Sequence, residues 1–288
     1  MRPIRLPARL VLGILTCLAF SAPGVATSQA RSCRTLEFSP SAPPLPPPVT
    51  VPPPAGITIT LPVNVHYMKS TDPRHVHAND LEQVFPERLL VKLFGDSSSG
   101  AVNAIWRQAK IRLSLHRAEA CDYDPAAFDV ESGAREEIPS PMAGDFGRRV
   151  FNKINAAFNS TATPGVDLYL WTDIRAGLVG YGASHRRSAP PRTGGVWVDK
   201  GCVETLGARC PALVAHEIGH FLGLCHSCEN SITNSGPCTI CLPPGTQTAP
   251  VCGPRENLLM RPWFDGTKLT QCEIGQARLK AAERLNAR

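Results

Sequence analysis

Ala215 to Ser227 reads Ala-His-Glu-Ile-Gly-His-Phe-Leu-Gly-Leu-Cys-His-Ser, and this stretch decides the fold. His216 and His220 are four positions apart, so on an α-helix both imidazoles project from one face, one turn above the other. Two neutral imidazoles in this arrangement can bind one Zn²⁺ ion at about 2 Å each. Glu217 follows the first histidine, where its carboxylate can take a proton from a zinc-bound water. The spacing therefore predicts a metal-binding helix.

Two later residues extend this helix into a candidate three-ligand site. Gly223 can adopt the left-handed backbone that ends a helix sharply, and the resulting turn brings His226 back as a third ligand. Three protein ligands with an open fourth position are typical of catalytic zinc, because structural zinc sites are closed. The other residues of the helix are mostly apolar, so we expect the polar side chains to be buried with a metal as their partner. The alternative is a solvent-exposed polar face that binds nothing.

The complete pattern over 216–226, His-Glu-x-x-His-x-x-Gly-x-x-His, resembles the metzincin metallopeptidase motif. In metzincins a methionine follows in a tight turn under the zinc site, and Met260 is the candidate for this Met-turn. Upstream, Gly180-Tyr181 and the Gly-Val-Trp-Val of 195–198 resemble the edge strand and the next strand of the pappalysin/cytophagalysin group. Ser227, directly after the third histidine, is a matrixin-like feature. In order of elements, the resemblance extends over about 57–288.

The resemblance implies a secreted zinc-dependent endopeptidase, a metzincin-type hydrolase with one catalytic Zn²⁺ ion and a protein or peptide substrate. The metal ligands would be His216, His220 and His226, with Gly223 and Met260 as supporting residues. Glu217 would be the general base that takes the proton of the attacking water and passes it to the leaving amine. The sequence does not indicate an oligomeric state.

Two other classes of protein stay open at this stage. One is a zinc-stabilised secreted binding protein whose cleft is blocked by the Cys-rich insertion over 225–252. Glu217 argues against it, because binding alone does not need this carboxylate. The other is a protein with a second, structural zinc ion held by Cys225, Cys228, Cys238 and Cys241, which form two Cys-x-x-Cys pairs in the insertion.

The N-terminus has the features of an export signal over 1–30. Three arginines precede a short apolar run at 10–20, and small residues follow as far as Ala30. An uncleaved anchor is the alternative, but the run is short for a bilayer. Removing the signal takes away three arginines and lowers the formal charge from +6 to +3, which is too mild to indicate nucleic-acid or membrane binding. We expect an extracellular protein, or a periplasmic one if the source is bacterial.

Cysteine usage agrees with export. Of the 11 cysteines, all but Cys17 lie beyond the signal, and the even remainder predicts disulfides in an oxidising compartment. We therefore expect disulfides in the 225–252 insertion, stapling a flap beside the cleft. For Cys33 we expect a disulfide to the catalytic domain; the alternative is a thiolate that caps the zinc in a latent form.

The remaining sequence predicts the order of elements. Residues 31–56 are rich in proline and form a linker or a short propeptide, and 57–288 form the catalytic domain. Strands are predicted at 57–68, 111–116, 166–171, 178–184 and 195–199. Helices are predicted at 97–110, at 146–158, in the zinc-binding segment entered at Pro211, and after a capping box from Thr270 to Glu273. This order indicates an α/β fold with a twisted, mostly parallel sheet. The resemblance implies that it is an α/β (α+β) metzincin-like fold with an active-site helix, a Met-turn and a C-terminal helix.

Overall fold

The computed structural model describes residues 32–37, 44–72, 81–95, 101–128, 144–158, 164–172, 174, 180–182, 194–226, 257–260 and 266–286. Every structural statement below concerns these residues, and at 144–146 and 180–182 only the backbone is described. The leader over 1–30 and nearly all of the Cys-rich insertion lie outside them, so both stay predictions. None of the described helices is long and apolar enough to span a bilayer.

Six described strands form one mixed sheet in the order β1-β3-β2-β4-β6-β5. Their bounds are β1 Ser32–Thr35, β2 Ile59–Ser70, β3 Ile111–Tyr123, β4 Val166–Trp171, β5 Gly180–Gly182 and β6 Val196–Asp199. The four inner strands pair in parallel, whereas β1 and β5 are antiparallel to their neighbours. The predicted fold class, α/β with a mostly parallel sheet, is confirmed at this level.

Helices cover both faces of the sheet. They are α1 Leu81–Val84, α2 Glu87–Phe94, α3 Ala101–Trp106, α4 Gly144–Phe158, α5 Gly201–Glu204, α6 Cys210–Phe221 and α7 Gln271–Asn286. The core on one face joins the sheet to α2, α3, α6 and α7, and the core on the other face joins it to α4. Parallel strands covered on both faces are apolar on both sides, and β2 is buried along nearly its whole length for this reason.

The two helices predicted from local signals begin and end as expected. Pro211 lies in the first turn of α6, and Gly223 follows the end of this helix with a left-handed φ of 81°. At the start of α7, Thr270 accepts from the backbone N–H of Glu273 at 3.2 Å, and the Glu273 carboxylate accepts from the N–H of Thr270 at 2.7 Å. The capping box is therefore confirmed.

The first residues of 31–56, the segment predicted to be a linker or a short propeptide, form a strand of the sheet. β1 pairs with β3, and a disulfide joins Cys33 to Cys121. Leu36 continues the pairing by donating its backbone N–H to Ala118 at 3.0 Å. The expected disulfide between Cys33 and the catalytic domain is confirmed, and it leaves Cys33 no thiolate to cap a metal.

The proline-rich part of this segment is held by the C-terminal helix. The buried guanidinium of Arg278 on α7 donates to the backbone oxygens of Pro54 at 2.6 Å and Ile57 at 3.0 Å. The side chain of Asn286 accepts from the N–H of Val49 at 3.0 Å and donates to its oxygen at 2.6 Å. Because proline removes backbone donors but keeps the carbonyls, such a segment can be bound through its oxygens.

Other elements also differ from the predictions. β3 continues to Tyr123, beyond the strand predicted at 111–116, and the helices α1, α2 and α5 were not predicted. Among the charged residues of 117–123, Glu119 is buried beside His66 of β2, and a pattern within β3 alone does not show this contact. The helix expected at 97–110 is described from Ala101 and changes to a 3₁₀ turn at Arg107–Ala109.

Candidate metal centre

The histidines that the sequence singled out come together after α6. His216 and His220 lie on this helix, and the turn at Gly223 returns the chain so that His226 faces both. The Nε2 atom of His226 lies 3.1 Å from Nε2 of His220 and 3.3 Å from Nε2 of His216. The ligand atoms of all three lie within 4.8 Å of one another. The imidazoles therefore converge through their Nε2 atoms.

Backbone oxygens fix the tautomers of the two helical histidines. Nδ1 of His216 donates to the oxygen of Leu259 at 2.7 Å, and Nδ1 of His220 donates to the oxygen of Leu224 at 2.8 Å. A carbonyl can only accept, so the proton of each neutral ring lies on Nδ1 and the lone pair lies on Nε2. A proton on Nε2 of His226 could form a hydrogen bond to only one of these two lone pairs. A cation at the point where the rings converge could be coordinated by all three nitrogens.

The three histidines could bind a metal ion. Three imidazole nitrogens form a donor set that suits zinc. In two of the rings the other nitrogen is held by a backbone carbonyl, as is usual for histidines that bind zinc. The donors therefore fit the predicted group, and the chain needs no large rearrangement to present them.

The surroundings keep two of the ligands neutral. Burial lowers the pKa of His216 well below its usual 6.5, and the neighbouring His220 and His226 lower it further, against the opposing effect of the bond to Leu259. Burial, followed by the proximity of His226, lowers the pKa of His220 to about 3. Neutral imidazole is the form that binds metal, so these two rings stay competent as ligands in mildly acidic solution.

Met260 lies fully buried against α6. A Cβ atom added to Gly219 would lie 2.4 Å from its Sδ atom, so the glycine gives the methionine room to approach. The residue before Met260 supplies the backbone oxygen that holds His216. The predicted Met-turn segment thus contacts α6 through both its main chain and a side chain.

A hydrogen-bonded support, which the sequence did not indicate, holds this turn in place. Leu259 donates its N–H to the oxygen of Lys268 at 2.7 Å, and Lys268 donates to Asn257 at 2.9 Å. Gln108 donates to the oxygen of Thr267 at 2.6 Å and accepts from the N–H of Leu269 at 3.2 Å. Most of these contacts use backbone atoms, which carry no sequence signal.

Glu217, the predicted general base, lies on α6 between the two helical ligands in sequence and is only 3% exposed. β5 lies beside the same helix and is the outermost described strand at its end of the sheet. Of β5 only the backbone is described. The carboxylate of Glu217 therefore lies on α6, and the edge strand β5 lies beside this helix.

The described cysteines are oxidised. A disulfide joins Cys202 to Cys210, and Cys225 and Cys272 are also disulfide-bonded. A bonded sulfur is not a thiolate, so Cys225 cannot contribute to the four-cysteine zinc site that the sequence left open. The other three cysteines of that candidate site lie outside the described residues.

Comparisons with known proteins add little to this geometry. No protein-family model matches the sequence, and no curated protein matches it. Among solved structures, mirolysin in complex with compound 9 aligns with a TM-score of 0.43 and 16% identity, over 81% of this chain and 97% of that chain. A chaperone–substrate complex aligns with a TM-score of 0.37 and 13% identity, over 80% of this chain and 36% of that chain. Similarities this weak do not decide a function, so the site is interpreted from its own atoms.

Proposed function

We propose that this chain is an exported zinc-dependent endopeptidase of the metzincin type. One observation carries the proposal: the Nε2 atoms of His216, His220 and His226 converge while backbone oxygens hold Nδ1 of the first two. A buried carboxylate, Glu217, lies on the same helix as His216 and His220. Three nitrogen ligands with a neighbouring carboxylate match what hydrolysis by activated water requires.

In the proposed reaction each residue has a separate task. When bound, a zinc ion supplies a Lewis acid that brings the pKa of water toward about 7 and polarises the scissile carbonyl. The three histidines would hold the ion, and the backbone oxygens of Leu259 and Leu224 keep two of the rings oriented. A carboxylate oxygen of Glu217 accepts the proton of the attacking water and returns it to the leaving amine. Its burial limits competition from bulk water.

The proposed substrate is an extended stretch of protein or peptide. β5 is paired on one side, with β6, and the other side is the outer edge of the described sheet. Backbone N–H and C=O groups at a strand edge can pair with an extended chain, and this pairing tolerates many sequences. Because β5 lies beside α6, a chain bound there would run close to the histidines.

Export is part of the same proposal. The disulfides Cys33–Cys121 and Cys202–Cys210 are typical of proteins in an oxidising compartment. They support the interpretation of 1–30 as a signal peptide, because a secreted chain meets such a compartment during folding.

A peptide library distinguishes this proposal from the zinc-stabilised binding protein. The purified chain is incubated with the library before and after treatment with a chelator, and mass spectrometry identifies the product ends. We expect new internal cleavage sites that disappear with the chelator and return when zinc is added. Binding of peptides without any cleavage by the zinc-loaded protein would favour the binding protein and overturn the proposal.

A further inference from the structure

A second cluster of ionisable groups lies within the sheet, on the face that α4 covers. His66 of β2 is 1% exposed, and its Nε2 atom lies 2.9 Å from Oδ1 of Asp167 on β4. On the other side of the ring, Nδ1 lies 3.5 Å from Oε2 of Glu119 on β3. The ring stacks on Tyr169 with centroids 4.9 Å apart. One imidazole thus bridges carboxylates from both neighbouring strands.

Two carboxylates favour the protonated form of this imidazole. Each of them also faces another cation, because Glu119 contacts the guanidinium of Arg117 and the charge of Arg284 on α7 acts on Asp167. Burial acts against the imidazolium, but the hydrogen bonds and charges of Asp167 and Glu119 outweigh it, and the pKa of His66 is raised above 6.5. A protonated ring has a hydrogen on both nitrogens.

The Nδ1 hydrogen faces a disulfide as well as a carboxylate. Sγ of Cys121 lies 3.8 Å from Nδ1 of His66, and Asp167 holds the opposite nitrogen. Cys121 is fully buried, whereas its partner Cys33 lies half-buried on the edge strand β1. The arrangement places the less buried cysteine, Cys33, on the edge strand and a proton donor beside the sulfur of Cys121.

The sulfurs of Cys33 and Cys121 also lie close to the carboxylate of Glu119. The distances between these three groups would allow them to bind a metal ion. We do not assign a metal here, since the sulfurs of Cys33 and Cys121 are bonded to each other and neither is a thiolate.

We propose that Cys33–Cys121 is a thiol-exchange site for small-molecule thiols, with His66 as the proton donor to the departing sulfur. A thiolate forms a bond to Sγ of Cys33 as the Cys33–Cys121 bond breaks, and the electron pair of that bond goes to Cys121. His66 transfers its Nδ1 proton to this sulfur, which leaves Cys121 as a thiol, the ring neutral and Cys33 in a mixed disulfide. A second thiol then releases Cys33 and is oxidised together with the first.

Exchange at this position releases the covalent tether between β1 and β3. The backbone pairing of Ser32–Thr35 with β3 remains after the sulfur bond breaks, so we expect the strand to loosen while the sheet persists. The site is separate from the histidines of α6 and does not depend on the proposed peptidase activity.

The chain contains its own reference disulfide. Both cysteines of Cys202–Cys210 are buried, at 0% and 2% exposure. Within the described residues their sulfurs hydrogen-bond to no histidine, and Sγ of Cys202 faces the backbone oxygen of Cys210 at 3.6 Å. Both of its cysteines are more buried than Cys33 and neither has a described histidine as a proton donor, so it should react more slowly than Cys33–Cys121.

The test treats the native protein with reduced glutathione near neutral pH, quenches with acid, alkylates free thiols and maps each cysteine by mass spectrometry. We expect the glutathione adduct on Cys33, the free thiol on Cys121, and an intact Cys202–Cys210 over the same period. An adduct formed mainly on Cys121, or prior opening of Cys202–Cys210, overturns the proposal.

A variant separates the role of His66 from simple accessibility. His66→Gln should lower the rate of adduct formation at Cys33 by about 100-fold, as loss of a general acid does. His116→Gln is the control: it removes a histidine of β3 instead, and it should leave this rate unchanged. The rate at Cys202–Cys210, measured in the same samples, shows whether the variant is folded. An unchanged rate in folded His66→Gln overturns the proposal, and if this variant does not fold, the position of the adduct in the wild-type protein decides.

Discussion

Nδ1 of His216 donates to the backbone oxygen of Leu259 at 2.7 Å, although the two residues are 43 positions apart. This bond connects the first of the three converging histidines to the turn that contains Met260. The ring can then direct only its Nε2 lone pair toward the other histidines. The orientation of the centre therefore depends on a segment outside α6, and the motif alone does not determine it.

Glu217→Gln should abolish turnover while leaving the metal in place. The amide keeps the shape of the side chain but cannot accept and return a proton, so we expect cleavage to fall by about 100-fold or more. The measurements are the cleavage rate of a peptide identified in the library and the zinc content of the purified variant. Cleavage at the parent rate would show that another group acts as the base.

His220→Ala should lose zinc. The substitution removes one of three converging nitrogens and leaves two ligands, which is too few for tight binding. Elemental analysis after dialysis should find zinc in the parent and little in the variant. His116→Gln is the matched control, because His116 lies on β3 and not among the converging histidines, and it should keep its zinc. Equal zinc in His220→Ala would contradict the assignment of this ligand.

Gly219→Ala should destabilise the fold, because the new methyl group would lie 2.4 Å from Sδ of the buried Met260. We expect the free energy of unfolding to fall by about 1–3 kcal/mol, as in other overpacked cores. Gly275→Ala on α7 is the control, since a Cβ there meets nothing within 4 Å, and it should leave stability unchanged or slightly raised. Denaturant titration measures both.

A double variant identifies the cause of this effect. In the Met260→Ala background the methyl group added at position 219 has space, so the cost of Gly219→Ala should shrink. A cost that stays the same in both backgrounds would show that the two residues do not interact.

The pH dependence of stability should reveal the charged state of His66. Its pKa in the folded protein is raised above 6.5 by Asp167 and Glu119, which outweigh burial. The resulting stabilisation is fully present below the unfolded pKa and is lost as the pH rises through the folded pKa. We therefore expect the stability difference between the parent and His66→Gln to shrink from about pH 6 upward. A difference that grows with pH would contradict a protonated His66.

Local patterns were enough to predict the parts of the fold that depend on neighbouring residues. The capping box of α7, the turn at Gly223 and the strand at 166–171 all have signals within a few residues, and the structure contains each of them. The three histidines could be grouped for the same reason, because the last lies only 10 positions after the first.

Elements that depend on distant partners were missed. β1 becomes a strand because it pairs with β3 and because Cys33 meets a cysteine 88 positions away. His66 and Asp167 are 101 positions apart and meet only through the register of β2 and β4. Pairings of this kind depend on the arrangement of the whole sheet, so a pattern within one segment cannot indicate them.

The central claim is that His216, His220 and His226 together bind one zinc ion, and X-ray absorption at the zinc edge tests it most directly. For protein loaded with one equivalent of zinc, we predict three imidazole nitrogens at about 2.0 Å from the ion. Every other ligand atom should be nitrogen or oxygen, with no sulfur. His226→Ala should lower the imidazole count by one. A shell dominated by sulfur, or an imidazole count that does not change in the variant, would contradict the claim.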